Sequence, residues 1–317
     1  MRYYSCDSHV VEAREVFAGL DEQFGSKAPR ILRDLNGQMG EFLVIGDARP
    51  VPVGRLGIAG NRLDDPKTDW VFDYCSPNPE RLIGIGCLPV PDVDACVREV
   101  ERAGTKGVRG FAIPWHAPVD QPYSDPIYDP LWAVLQEMDL PVTMHIFTGT
   151  SFDCGLPGHW GTPGGTIKGY TLAHTTVVNS TIDLICGGVV ERFPRLKFVM
   201  AEFETGWIAH FKQCFEHACY RTPWLMVDYL TLRPTEYLER NFWVTFEDDV
   251  DGMTTRHKIG VENLLWGNDY PHHDSIWPHS MQTLTEVFQG VPDDEVEQMV
   301  WSNVVDLYNI DTSKLPA

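Results

Sequence analysis

The chain is short of positive charge: 25 Lys and Arg stand against 45 Asp and Glu over 317 residues, a formal charge of −20. That balance repels phosphate backbones and anionic membrane surfaces, so no nucleic acid and no membrane are expected as partners. An anionic small molecule stays open, because a cation in a site reverses the local potential. No apolar run reaches 18 residues, and MRYYSCDSHV lacks the apolar core of a secretory signal, so a cytoplasmic protein is expected. The eight cysteines, Cys6, Cys75, Cys87, Cys96, Cys154, Cys186, Cys214 and Cys219, form no C-x-x-C pair and no dense framework. They read as reduced, buried side chains. No Gly-rich phosphate fingerprint follows the first β-like segment, and GTPGGTIKG lacks the G-x-x-x-x-G-K-S/T spacing, which weighs against a nucleotide-binding doubly wound sheet. Nothing marks a flavin or iron–sulfur module.

What the chain has is a large apolar fraction, 43%, with 11% aromatics, enough for a sizeable core. Short β-rich runs alternate with helical patterns. The runs are RYYSCDSHV, RLIGIGCLP from Arg81, KGVRGFAIP from Lys106, PVTMHI from Pro141, LKFVMAE from Leu196, FWVTFED from Phe242 and ENLLWGND from Glu262. Between them lie helical patterns such as Asp92 to Gly104, Tyr128 to Leu140 and Ser180 to Phe193. That alternation predicts an α/β protein with a parallel sheet and crossover helices, and a closed barrel is favoured over an open sheet. A barrel of about 250 residues with insertions accounts for residues 1–317 as one domain. Phe24 to Asp64 reads as an insertion after the first strand; within it Glu41 to Asp47 is either an eighth strand or part of an inserted hairpin. Gly149 to Gly169, with seven glycines, reads as a long loop and flexible lid.

In a parallel barrel every strand opens at its C-terminal end on one mouth, so ionisable residues at strand ends meet there. The first run ends in Asp7 and His9, two apart and therefore on one face of a strand, with Glu12 beyond. His145, Glu202, Glu204, Glu247 and Asp269 end later runs, and His272 and His273 follow Asp269. Each alone has an ordinary reading as a cap, a turn residue or a satisfied core histidine. Gathered together, buried carboxylates and imidazoles call for a shared divalent cation.

The segments DSHVVE, RLIGIGCLPVPD, the MHI strand end, FVMAEFETGWI and LLWGNDYPHHDSIWP resemble the amidohydrolase superfamily. The branch is amidohydrolase-2, which contains aminocarboxymuconate semialdehyde decarboxylase and the resorcylate-type decarboxylases. The resemblance implies a metal-dependent distorted (β/α)8 TIM barrel, with Asp7, His9, His145 and Asp269 as metal ligands. Relatives often carry a histidine where this chain has Glu202, and often a histidine where it has Asp7. The donor set is thus rich in hard oxygens and suits Mn or Fe at least as well as Zn. KGVRGFAIPWH offers no strand-end lysine, which argues against a carbamate-bridged binuclear hydrolase. One ion is expected; His174, Glu12, Glu202 and His272 or His273 supply donors for a second.

As a decarboxylase or a hydrolase, the protein would use Asp269 and Glu202 to carry protons, on a small organic acid or aromatic substrate. Trp115 and His116, at the mouth after FAIP, and His272 and His273 are the expected substrate contacts. The alternatives are a dinuclear non-haem iron or manganese oxygenase needing a separate reductant, and a catalytically silent interaction subunit, which predicts gaps among the ligands that the sequence does not show. A homo-oligomer is expected from the resemblance.

Overall fold

In a computed structural model of the chain, the residues described are 1–9, 25, 28, 30–35, 38–44, 51–52, 68–88, 90, 92–118, 120–148, 163–225, 229–272 and 274–315. Six strands form one parallel sheet in sequential order: β4 Ile85–Cys87, β5 Gly110–Pro114, β6 Val142–His145, β7 Phe198–Ala201, β8 Phe242–Phe246 and β9 Leu264–Trp266. These are six of the seven apolar runs. Parallel neighbours need a crossover, and helices supply it, among them Val93–Gly104, Asp129–Glu137, Gly206–Arg221 and Val250–Ile259. The helix Val93–Gly104 starts where Asp92 accepts a bond from the Ala95 amide at 2.9 Å, and its buried stripe Cys96, Val100 and Ala103 follows the helical period. Strands covered on both faces are apolar throughout: all four residues of β7 are buried. Trp132 packs edge-on against Phe198 at 5.8 Å, and Phe198 stacks on Phe242 at 5.2 Å, tying a helix to two strands.

The seventh run, RYYSCDSHV, is extended but is not a full strand. The Cys6 amide donates to the Trp266 carbonyl at 2.8 Å, and the His9 amide to the Tyr270 carbonyl at 2.7 Å, so the segment lies along β9 and past its end. Among the described residues of the segment, only Ser8 forms a bridge, a parallel one with Tyr270. The ladder stops because the Asp7 carbonyl takes two consecutive amides, Asn268 at 3.3 Å and Asp269 at 2.9 Å, where the segment after β9 turns at Asp269 with φ of 50°. Gly267 permits this approach: a Cβ there would stand 2.5 Å from the Asp7 Cβ.

Two boundaries differ from the sequence reading. The insertion carries its own antiparallel sheet, β1 Arg30–Leu35, β2 Gln38–Val44 and β3 Val51–Pro52, so the run from Glu41 belongs to an inserted hairpin and not to the parallel sheet. The glycine-rich stretch does not stay a loop to Gly169: the helix Pro163–Cys186 begins inside it, with proline in the first turn, where a missing amide costs nothing. Residues 149–162 lie outside the described set.

Candidate metal centre

The parallel strands deliver the ionisable groups to one end. His145 closes β6, Glu202 follows β7 directly, and Asp269 lies just past β9 beside the N-terminal segment. Phe147, Glu202, Glu204 and Asp269 all hold left-handed backbone, with φ of 57°, 64°, 52° and 50°. None is glycine, so each costs on the order of 1–3 kcal/mol, and such residues concentrate where a side chain must be aimed.

Their donor atoms converge. His9 Nε2 lies 3.2 Å from Asp7 Oδ1, 3.0 Å from Asp269 Oδ1 and 3.2 Å from His145 Nε2. His145 Nε2 lies 3.4 Å from Asp7 Oδ1 and 3.1 Å from Glu202 Oε2. One ligand atom from each of Asp7, His9, His145 and Glu202 falls within 4.8 Å of the others, and the same holds for His9, Glu202, Asp269 and His272. The His272 ring stacks on His9 at 3.9 Å, with Nδ1 2.6 Å from Asp269 Oδ1. His145 Nδ1 sits 2.8 Å from the Ile146 carbonyl, which orients the ring with Nε2 facing the cluster.

The cluster does not satisfy itself. Asp7 Oδ2, Glu202 Oε2, His272 Nε2 and both Asp269 oxygens are buried with no hydrogen-bond partner, even though some of the same oxygens lie within 3.4 Å of imidazole nitrogens. Closeness without hydrogen-bond geometry, among acids and imidazoles out of contact with water, is the arrangement of atoms that share a cation. The oxygen and imidazole donors fit a divalent metal.

The electrostatics divide the carboxylates. Burial works to raise Asp7, and the imidazoles of His145 and His9 outweigh it, holding the carboxyl below its ordinary range. Burial likewise opposes the lowering of Asp269, which His272 and His9 secure. Burial works to lower His9, but Asp269 and Asp7 push it up to about 9. Glu202 goes the other way: burial, then Asp7 and Asp269, raise it well above the usual carboxylate value. Burial with Asp7 and Asp269 pushes Glu247 up to about 10, and burial with Asp249 pushes Glu204 up to about 8.

A cavity of about 430 Å³ opens beside the cluster at Glu202. The ends of β7 and β8 and the helix Pro163–Cys186 enclose it through Glu204, Trp207, Glu247, Tyr170 and His174. Its volume suits a small organic molecule.

Several expected contacts fall elsewhere. His174 belongs to neither donor group; it rides the helix Pro163–Cys186, lines the cavity and stacks on Trp207 at 5.6 Å. Burial lowers its pKa. Trp115 is fully buried between Phe147 and Phe203, and His116 turns its Nδ1 to the Ala117 carbonyl at 3.0 Å, so neither lines the cavity. His272 sits in the cluster, not in the cavity wall. His273 and Glu12 lie outside the described residues. Cys6 keeps its core role, with burial holding the thiol up to about 12. Glu204, one of the expected strand-end acids, lines the cavity together with Trp207.

A family model described as Amidohydrolase matches residues 46–310. The chain belongs to the amidohydrolase family. It is 25% identical over 226 residues to the gamma-resorcylate decarboxylase of Rhizobium radiobacter, a match covering 66% of this chain and 67% of that enzyme. Among solved structures it resembles an amidohydrolase from Mycobacterium avium subsp. paratuberculosis K-10, with a TM-score of 0.73 at 19% identity over 97% of this chain and 99% of that one. It also resembles a dihydroxybenzoic acid decarboxylase from Polaromonas sp. JS666 with bound manganese and the inhibitor 2-nitroresorcinol, with a TM-score of 0.62 at 17% identity over 77% of this chain and 74% of that one. These likenesses carry the α/β fold, and the family makes this chain an enzyme of the carboxy-lyase or hydrolase type.

Proposed function

We propose that this protein is a divalent-metal-dependent decarboxylase of a small aromatic or conjugated organic acid. The observation that carries the reading is Glu202, which belongs to both donor groups and also lines the cavity, so a bound molecule would meet the metal-facing atoms and a carboxyl at one point. Asp7, His9, His145 and Asp269 would hold the metal, with Glu202 shared between the donor groups and the cavity lining and His272 beside Asp269. The metal supplies Lewis acidity, anchoring and polarising the carboxylate or neighbouring hydroxyl of the acid.

The chain's own groups then have distinct work. Asp269, fully buried and flanked by His9 and His272, stays ionised and fixes both rings. Glu202, whose burial favours the protonated form, holds the proton that must reach the ring carbon as carbon dioxide leaves. Trp207 and His174, both in the cavity lining, offer aromatic edges to a planar substrate. Both donor groups share His9 and Glu202, which supports one ion, and no observation favours the dinuclear oxygenase. Manganese is the first metal to load, since the Polaromonas decarboxylase contains it.

The test is carbon dioxide release from a panel of hydroxybenzoic and conjugated acids by manganese-loaded protein, with and without chelator. Release that chelation abolishes and manganese restores supports the reading. Chelator-resistant activity, or no release from any acid by a fully loaded protein, refutes it.

A further inference from the structure

Tyr170 brings a phenol into the cavity that the proposed chemistry does not use. It rides the helix Pro163–Cys186 into the lining beside Glu202. Burial raises its pKa, and Glu202, Asp274, Asp269 and Glu247 add to the rise, so the hydroxyl keeps its proton close to the strand-end acids. The backbone accepts strain to brace this ring. Phe147, two residues past His145, has a left-handed φ of 57° and meets Tyr170 edge to face, with ring centres 5.1 Å apart and planes at 72°. Fully buried Trp115 meets the same Phe147 ring at 5.4 Å and stacks on Phe203 at 5.8 Å, so a row of rings ties the cavity wall to the core. Thr148 locks the turn between them: its hydroxyl donates to the His145 carbonyl at 2.6 Å and accepts from the Trp115 amide at 3.1 Å. Left-handed backbone is costly for a side chain larger than glycine's and persists where a group must be aimed.

An anionic substrate has a use for that hydroxyl. Among the described lining residues there is no Lys or Arg. Two other donors of the wall are engaged by backbone: the Thr171 hydroxyl donates to the Ile167 carbonyl at 2.8 Å, and the Trp207 N–H to the Phe203 and Glu204 carbonyls, both at 2.9 Å. We propose that Tyr170 anchors the substrate by donating its phenol hydrogen to a carboxylate oxygen of the bound acid, with Phe147 and Trp115 bracing the ring. This rests on the decarboxylase reading and deepens it. When the substrate carbon takes the Glu202 proton and the carbon–carbon bond breaks, the electron pair of that bond stays with the organic product, and the carboxylate loses its charge to become carbon dioxide. The oxygen that Tyr170 holds is thus a poorer acceptor at the transition state than in the bound acid. The hydroxyl acts on binding and not on the chemical step.

The test uses manganese-loaded protein and the acid panel above, 2-hydroxybenzoate first. Calorimetric titration should show Tyr170→Phe binding the acid about tenfold more weakly, the worth of one hydrogen bond to a charged oxygen, at unchanged manganese content and melting. In turnover the same variant should raise KM about tenfold and keep kcat within about twofold. Phe147→Leu should weaken binding by at least about threefold, yet in a Tyr170→Phe background it should cost less than about twofold, because it acts through the hydroxyl it aims. Should Phe147→Leu lose its manganese or its fold, Tyr170→Phe alone decides. Parental binding by Tyr170→Phe, a fall in kcat at parental KM, or additive losses in the double variant overturns the proposal. A loaded parent that binds no acid of the panel overturns it together with the decarboxylase reading. Binding that weakens in Tyr170→Phe, with no carbon dioxide released from any acid, sinks the decarboxylase reading and leaves the anchor standing; release by the parent with parental binding in Tyr170→Phe does the reverse.

Discussion

Gly267→Ala tests the junction on which the whole cluster depends. The added Cβ would stand 2.5 Å from the Asp7 Cβ and 3.1 Å from the Asp7 amide nitrogen. Ordinary carbon contacts lie at about 3.5–4.0 Å, so the two backbones must part by about 1 Å. They are held together by the Cys6 amide on the Trp266 carbonyl and the Asp269 amide on the Asp7 carbonyl, at 2.8 and 2.9 Å. Separation therefore strains both bonds and carries Asp7 away from His9 and His145. Overpacking of this kind costs about 1–3 kcal/mol, which lowers Tm by a few degrees. Displacing a group that places a ligand costs on the order of 10–100-fold in metal affinity. Manganese titration and a thermal melt read both effects. Gly164→Ala is the control, since among the described residues a Cβ there meets nothing within 4 Å and both readouts should match the parent. A Gly267→Ala protein with parental melting and manganese affinity within about twofold would refute the close approach and the placement of Asp7 that follows from it.

Other consequences follow from the same contacts. Asp269→Asn keeps the shape but removes a buried charge flanked by two imidazoles, so carbon dioxide release should fall by at least about a hundredfold, by analogy with the loss of a preorganised catalytic group; full activity would remove Asp269 from the mechanism. Asp249→Ala deletes an acceptor of four bonds from Thr205, Gly206 and Gly252 and should cost about 1–2 kcal/mol or more in denaturant unfolding. Trp132→Ala empties a fully buried site and should cost about 3–5 kcal/mol while leaving manganese stoichiometry intact. The metal-free protein should lose stability as pH rises from about 6.5 to 9. His9 keeps its proton in the fold up to about 9 after the unfolded chain has lost it at about 6.5, and Glu247 keeps its own up to about 10. In both cases the folded state binds more protons than the unfolded one, so stability falls with pH. Manganese should raise Tm more at pH 9 than at pH 6, because protons compete for the same donors; a melting temperature that climbs with pH in chelator contradicts the assignment.

The parallel sheet was readable because both-face burial writes strands as unbroken apolar runs, as in FVMA and LLW, and six of the seven runs are strands. The acids and imidazoles at the ends of five of the seven runs likewise pointed to one place, where Asp7, His9, His145, Glu202 and Asp269 meet. What the sequence could not show was direction off the strand axis. Trp115 looked available after FAIP, but the chain turns it inward against Phe147 and Phe203. His174 follows a glycine-rich stretch, yet it rides a helix and stacks on Trp207 in the cavity wall, outside the donor groups. The first segment reads as a strand by its β-rich composition, but the turn at Asp269 ends the ladder after a single bridge among the described residues. Glu247 was visible as a strand-end acid; its isolation among like charges is a property of the assembled cavity alone.

The most direct test of a shared cation is metal content after chelation and reconstitution, measured on the parent and on the His9→Ala/His145→Ala double variant. The parent should return close to one manganese per chain on dialysis and the double variant less than about a tenth of that, with folding followed by circular dichroism. A folded double variant that keeps a full complement, or a parent that takes up none, would contradict the account.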